Sequence, residues 1–325
     1  MSGSKVFTVF GSTGNQGGSI IRNILAHPTL SKEYRLRGVT RNVESDRAKA
    51  LTAQGVEMVA GDMENSESVS KVIEGSYAVF GVTNYWEVPS KEREVNQGKR
   101  IADACKTHGV KQLIWSNLPH VGKLSGGKYP NVHHFDGKAE IGEYIASLRI
   151  PHVNVVPGMF MQNLRSNISK SGDGETYTFA MPLAKEVKYP WFNPVKDTGA
   201  FVAGALLHPE IFEKATTGAP VSISQAGGFW SGTEVCEIFE KVTGKKTNFV
   251  RLEDETFIGF MSTRELGQEL LENMLLVSDY GYFGPTVEKS IEGLQESIRD
   301  YYPEGKKPQT LEEFIVENKT ALWHL

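Results

Sequence analysis

The first half of the chain alternates short apolar runs with amphipathic stretches, and that alternation sets the architecture. Lys5–Gly11 (KVFTVFG) is a β-rich run closing on glycine. After it, Gly17, Ile20, Ile21, Ile24 and Leu25 recur at helical spacing, which predicts an amphipathic helix that stops near Pro28. The same reading predicts strands at Arg35–Thr40, Val56–Ala60, Ser76–Val82, Lys111–Ser116 and His152–Val156. It predicts helices over Asp46–Gln54, Ser90–His108 and His134–Leu148. Ser76–Val82 (SYAVFGV) is nearly all apolar, as a strand covered on both faces must be. Strand and helix in this order, joined by short connections, predict an α/β fold: a Rossmann-type, doubly wound parallel sheet over residues 1–157.

The second half is less regular. Strand candidates are Thr176–Ala180, Val187–Tyr189, Val221–Ser224 and Asn248–Arg251. Helices are expected at Lys196–Leu207, Gly232–Val242, Thr263–Leu276 and Leu311–Ala321, the last opened by a capping box of Thr310 and Glu313. These predict a smaller α+β C-terminal lobe over residues 158–325, packed on the open edge of the sheet, with room for the chain to return to the Rossmann sheet. No Pro/Ser-rich linker separates the halves, so one rigid body is expected.

Composition narrows the function. A chain of 325 residues buries roughly 75% of its unfolded surface and needs no disulfide or metal to hold a core. A net charge of −4 with no Lys/Arg-rich run argues against direct nucleic-acid binding through a basic face. No stretch approaches the roughly 18 apolar residues of a membrane span. With only Cys105 and Cys236, far apart, and no apolar leader, the chain reads as cytoplasmic.

The chemistry is concentrated between the first strand and the first helix. Gly11-Ser-Thr-Gly14-Asn-Gln-Gly17-Gly18 stands where a dinucleotide-binding βαβ unit places its phosphate loop. Gly11 permits the sharp exit from the strand, Gly14 lets backbone N–H groups approach a pyrophosphate, and Gly17 brings the helix close. The helix N-terminus then supplies unpaired donors and partial positive charge. The second strand ends in Thr40-Arg41-Asn42, with no acid before Glu44, where an NAD-specific fold would hold the ribose 2′-OH. Arg41 is instead suited to a 2′-phosphate, which makes NADP(H) the expected cofactor. Ser12 and Thr13 can add hydroxyl donors. Asp62 is placed for the adenine edge, or is a plain turn aspartate. Phe80 and Thr83 are expected along the pyrophosphate-to-nicotinamide stretch, or in the sheet core.

Longer strings carry a resemblance. GSTGNQGGS, VTRN, the GD at 61–62, VTNYWE at 82–87, EREVNQGK at 92–99, HHFDGKAEIGEYI at 133–145 and PGMFMQNL at 157–164 together resemble the NmrA-like family, an atypical branch of the short-chain dehydrogenase/reductases. The likeness covers the Rossmann half and continues weakly through ENMLLVSDYGYFG and TLEEFIVENK. It is nearest to redox-sensor members that bind NADP(H) and regulate partners. It implies that Gly11, Thr13, Gly14, Gln16, Gly17 and Arg41 hold the cofactor's phosphates. It also implies that Asp62 touches adenine and that Lys138, Pro157 and Phe160 border the nicotinamide ribose and ring. Sensor relatives often carry a second basic residue four positions after the arginine; here that position is Ser45, leaving Arg47 or Lys49 as substitutes. Some relatives enter the nucleus, but no basic signal here supports it.

Two functions stay open. Reductases of the parent superfamily use Tyr-x-x-x-Lys, and here the frame reads His134-Phe-Asp-Gly-Lys138. Lys138 can still bind the ribose, while the proton-donating phenol is gone. That loss favours a sensor, in which NADP(H) orders the 119–131 loop and the second lobe and so changes homodimerisation or contact with a regulated protein partner. The alternative is an NADPH-dependent reductase of a small carbonyl, imine or enone substrate, with Lys138 and either His134 or a bound water relaying the proton. Ser116 and Tyr129 are lesser candidates for that role. His120, His133 and His134 lack the convergent carboxylates or thiols of a metal site, so none is expected.

Overall fold

The computed structural model describes residues 5–284 and 287–324. Its first half follows the predicted alternation: β1 (Lys5–Val9), α1 (Asn15–Ala26), β2 (Tyr34–Thr40), α2 (Asp46–Thr52), β3 (Glu57–Ala60), α3 (Ser66–Ile73), β4 (Ser76–Gly81), α4 (Lys91–Thr107), β5 (Gln112–Ser116), α5 (His133–Ser147) and β6 (His152–Pro157). The strands pair in parallel in the order β3-β2-β1-β4-β5-β6. The apolar stripe of α1 (Ile20, Ile21, Ile24) is wholly buried against Phe7, Val9 and Phe80 of the sheet. Burial of each such side chain contributes about 1.5–3 kcal/mol. Side chains cap most of the helices: Ser45 accepts from Ala48 N, Asn65 from Ser68 N and Ser90 from Arg93 N. The start of α1, at Gly14, has no such cap.

The second half continues as β7 (Met159–Phe160), β8 (Ile168–Lys170), β9 (Tyr177–Met181), β10 (Lys188–Phe192), α6 (Pro194–Leu207), β11 (Val221–Gln225), β12 (Gly228–Ser231), α7 (Gly232–Thr243), β13 (Thr247–Arg251), α8 (Arg264–Tyr280), α9 (Val287–Tyr301) and α10 (Leu311–Trp323). Two three-stranded sheets, β12-β10-β7 and β13-β9-β8, form the lobe. The capping box at Thr310 and Glu313 is present.

At the open edge of the sheet the lobe does more than pack. The chain returns to the large sheet, and β11 pairs in parallel with β6 as its seventh strand. Helix α6 lies on α1 so closely that a Cβ on Gly199 would sit 2.3 Å from Ser19 O. A division at 157/158 is therefore crossed by the chain, because β6 is apolar and needs a partner on its second edge. Separate apolar clusters fill the two faces of the large sheet and the lobe, and a cleft runs between the sheet's C-terminal edge and α8.

Candidate functional site

The cleft has a volume of about 640 Å³, and the glycine loop forms one end of it. Gly11 sits at φ +62°, in the left-handed region, which turns the chain sharply out of β1. A Cβ on Gly17 would lie 2.3 Å from Gly11 O, so only glycine lets α1 begin this near the strand. Gly18 N donates to Gly14 O, and no side chain competes for the open first turn. Gly11, Thr13, Gly14, Gln16 and Gly17 all line the cleft. Gln16 also exchanges hydrogen bonds with Ser116, at 3.1 and 3.2 Å, which ties the helix start to the end of β5.

Arg41, Asp62, Thr83, Pro157 and Phe160 line the same cleft, with His134 and Lys138. Arg41 is mostly exposed and forms an ion pair with Glu87, on the 3-10 turn Tyr85–Glu87. Asp62 spends one oxygen on a turn, accepting from Glu64 N at 2.9 Å. Of the two basic candidates near Ser45, Arg47 reaches the glycine loop, 3.5 Å from Thr13 O, while Lys49 pairs with Glu44. Ser45 itself is the N-cap of α2.

Three expected residues lie elsewhere. Ser12 is fully buried, and its Oγ donates 2.8 Å to Val39 O, bracing the loop against β2 instead of facing a phosphate. Phe80 is fully buried in the sheet core, because its position in β4 points it at α1; Val82 and Thr83, just past the strand, reach the cleft instead. Tyr129 turns away as well, donating to Asp279 Oδ2 at 2.6 Å. Among the described residues no cluster of metal-ligating side chains occurs.

The other end of the cleft holds carboxylates whose partners no local string announces. Lys138 Nζ pairs with Glu94, whose side chain is 1% exposed, and Thr83 Oγ1 donates to the same Glu94 Oε1 at 2.7 Å. A Cβ on Gly137 would come 2.9 Å from Glu94 Oε2, so the glycine of HFDGK makes room for this carboxylate. His134 Nδ1 lies 2.6 Å from Glu269 Oε1, which also accepts from His134 N at 2.8 Å. Tyr85 OH donates to Glu269 Oε2 at 2.7 Å. Glu269 is on α8, 135 residues from His134, and the contact becomes visible only when the lobe folds over the sheet. The Trp86 ring lies 4.7 Å from the imidazole.

Burial pushes the His134 imidazole below its usual value, with the Glu269 hydrogen bond opposing. The His134 hydrogen bonds, with Tyr85's, hold the Glu269 carboxyl below the usual range against the burial that would raise it. Burial and the bond to Glu269 push the Tyr85 phenol well up, which keeps it a neutral donor. An ionised Glu269 fixes the tautomer with Nδ1–H donating and leaves Nε2 for the cleft. The arrangement can hold a pyrophosphate at one end and move a proton at the other.

A sequence profile of the NmrA-like family matches residues 3–315. An NmrA-like family domain-containing oxidoreductase of Penicillium ochrochloron is 30% identical over 262 residues, 75% of each chain. A like-named oxidoreductase of Aspergillus japonicus is 28% identical over 316 residues, 90% of each. Among solved structures, NmrA, a negative transcriptional regulator, in complex with NADP superposes with a TM-score of 0.73 at 20% identity, over 99% of this chain and 91% of that one. That structural likeness bears on the fold, a parallel Rossmann-like sheet with flanking helices. No helix among the described residues is long and apolar enough to cross a membrane.

Proposed function

The chain belongs to the NmrA-like family, and from that premise we propose that it binds NADP(H) in the cleft and acts as an oxidoreductase on a small carbonyl, imine or enone substrate. The observation that carries the reading is the hydrogen bond from His134 Nδ1 to the buried Glu269. A missing tyrosine weighs against turnover only while nothing else can hold a proton. The carboxylate orients the imidazole and stabilises its charged form, the part an acid plays toward a histidine in many proton-transfer sites. The nicotinamide supplies the hydride when bound. The chain supplies the remainder: backbone donors at Gly14–Gly17 for the pyrophosphate, Arg41 for the 2′-phosphate, Lys138 for the ribose and His134 Nε2 for the proton that follows the hydride onto oxygen, nitrogen or carbon.

The redox-sensor reading has its own support. Arg41 is already engaged by Glu87, so a 2′-phosphate must displace a carboxylate on the turn that also carries Trp86 over His134. Exchange of partners at one end of the cleft is thereby coupled to the other end, and from there to homodimerisation or a protein partner.

One assay separates the two. The expected outcome is steady NADPH oxidation with a carbonyl, imine or enone substrate, abolished in Lys138→Ala and lowered about 10²–10⁴-fold in His134→Ala. The acid form of His134 gives up the proton, so kcat/KM should fall as pH rises through a midpoint below 6.5. Tight NADPH binding with no turnover across a broad panel, and sedimentation that changes with the coenzyme, would establish the sensor instead.

A further inference from the structure

Beyond Lys138 the cleft has its charges already neutralised: Lys138 by Glu94, and His134 by Glu269. The surrounding wall is apolar and aromatic, from Phe135, Leu270, Met274 and Tyr282. A carboxamide side chain also stands in that wall. Asn273 lines the cleft at 5% exposure, and its carboxamide makes no hydrogen bond, with Nδ2 buried and unpartnered. A buried amide donor without a partner is costly, and such a group in a folded protein calls for a ligand or a water to complete it. Asn273 follows Glu269 by four residues on α8, so the two side chains share one face a single turn apart. Glu269 is the carboxylate that holds His134, and Asn273 and His134 both line this cleft.

We propose that Asn273 is a specificity-determining residue and that this end of the cleft takes an uncharged, flat, conjugated or aromatic molecule bearing a carbonyl oxygen. The oxygen accepts from the Asn273 amide. The rings lie against Tyr282, Phe135 and the adaptable Met274. A formally charged molecule is disfavoured, because among the described residues each charged group at this end is committed to its own partner. The inference rests on the oxidoreductase reading for its place in a reaction, but not for binding.

The test is calorimetry on the NADP+-loaded protein, so that nothing is reduced during titration. The probes are 2-methyl-1,4-naphthoquinone, 2-methylnaphthalene with the same rings and no carbonyl, and 1,4-naphthoquinone-2-sulfonate. The quinone is expected to bind, about tenfold more weakly in Asn273→Leu, an apolar near-isostere. Asn273→Asp, which keeps the shape and loses the donor, should lose as much. The methylnaphthalene affinity should not change, and the sulfonate should bind at least about tenfold more weakly than its uncharged parent. The proposal is overturned if the quinone does not bind, if both variants hold it as the parent does, if the sulfonate binds equally well, or if the variants lose NADP+ and not the quinone. Quinone binding of the expected pattern with no NADPH oxidation would sink the oxidoreductase reading and leave this one standing.

Discussion

The two ends of the cleft are built on opposite principles. The glycine-loop end is backbone: glycines within seven residues of one another, an uncapped helix start and a mostly exposed arginine one strand away. The end at His134 and Lys138 is made of buried side chains in ion pairs, each joining residues far apart in sequence. The first end needs little from the rest of the molecule beyond β1, α1 and β2. The second exists only after α4, α5 and α8 have packed. A site assembled from local backbone can bind without much stake in stability, whereas buried ion pairs tie chemistry and stability together.

The largest expected effect comes from breaking a pair at the buried end. Glu94→Ala leaves Lys138 inside the protein without its counter-charge and should cost about 3–5 kcal/mol of unfolding free energy in urea titrations. A loss under about 1 kcal/mol would show that water already reaches this lysine and would erase the contrast. At the other end Arg41→Ala should reverse the balance of effects. Stability should move by less than about 1 kcal/mol, since the pair with Glu87 is exposed. NADPH affinity should drop about ten- to a hundredfold with NADH little changed, as read by fluorescence titration. The smallest effect belongs to Glu87→Gln. Removing the carboxylate that competes for Arg41 should tighten NADPH binding by a factor of about two to five, consistent with an exposed ion pair. It should also flatten the salt dependence. Tighter binding of NADH to the same degree would mean that Glu87 acts on the whole cleft and not on the 2′-phosphate position.

What could be read in advance follows the same division. The glycine loop, Arg41 and the first six strands were legible because strand, turn and helix signals lie next to one another in the sequence. Ser12 turned from the cleft, and Phe80 took its sheet-core alternative, for a local reason: a residue in the right loop or strand can face the core as readily as the cleft, and only the packed sheet decides. Glu94 lies in EREVNQGK, but its role at the cleft left only a faint mark, the glycine at 137 that makes space for it. Glu269 and Asn273 left none, since an acid and an amide on an amphipathic helix look like a solvated face until the sheet with which they pack is known. Glu87 was hidden the same way: it sits in a quoted string, but its partner is 46 residues upstream. The pairing left open was that of β11: its β-branched pattern and room for a return to the large sheet were visible, and its address beside β6 was not.

That strand sets the terms on which the molecule can be dissected. Because residues 221–225 zip onto β6, a fragment ending at Pro157 would expose a row of unsatisfied amides and carbonyls along an apolar strand, an invitation to self-association. A nascent chain leaving the ribosome meets the same hazard until some seventy further residues have emerged. Fusion junctions, split reporters and domain exchanges placed at the apparent midpoint would therefore sever a single sheet, whereas insertions in surface turns such as Gly172–Gly174 would leave it whole.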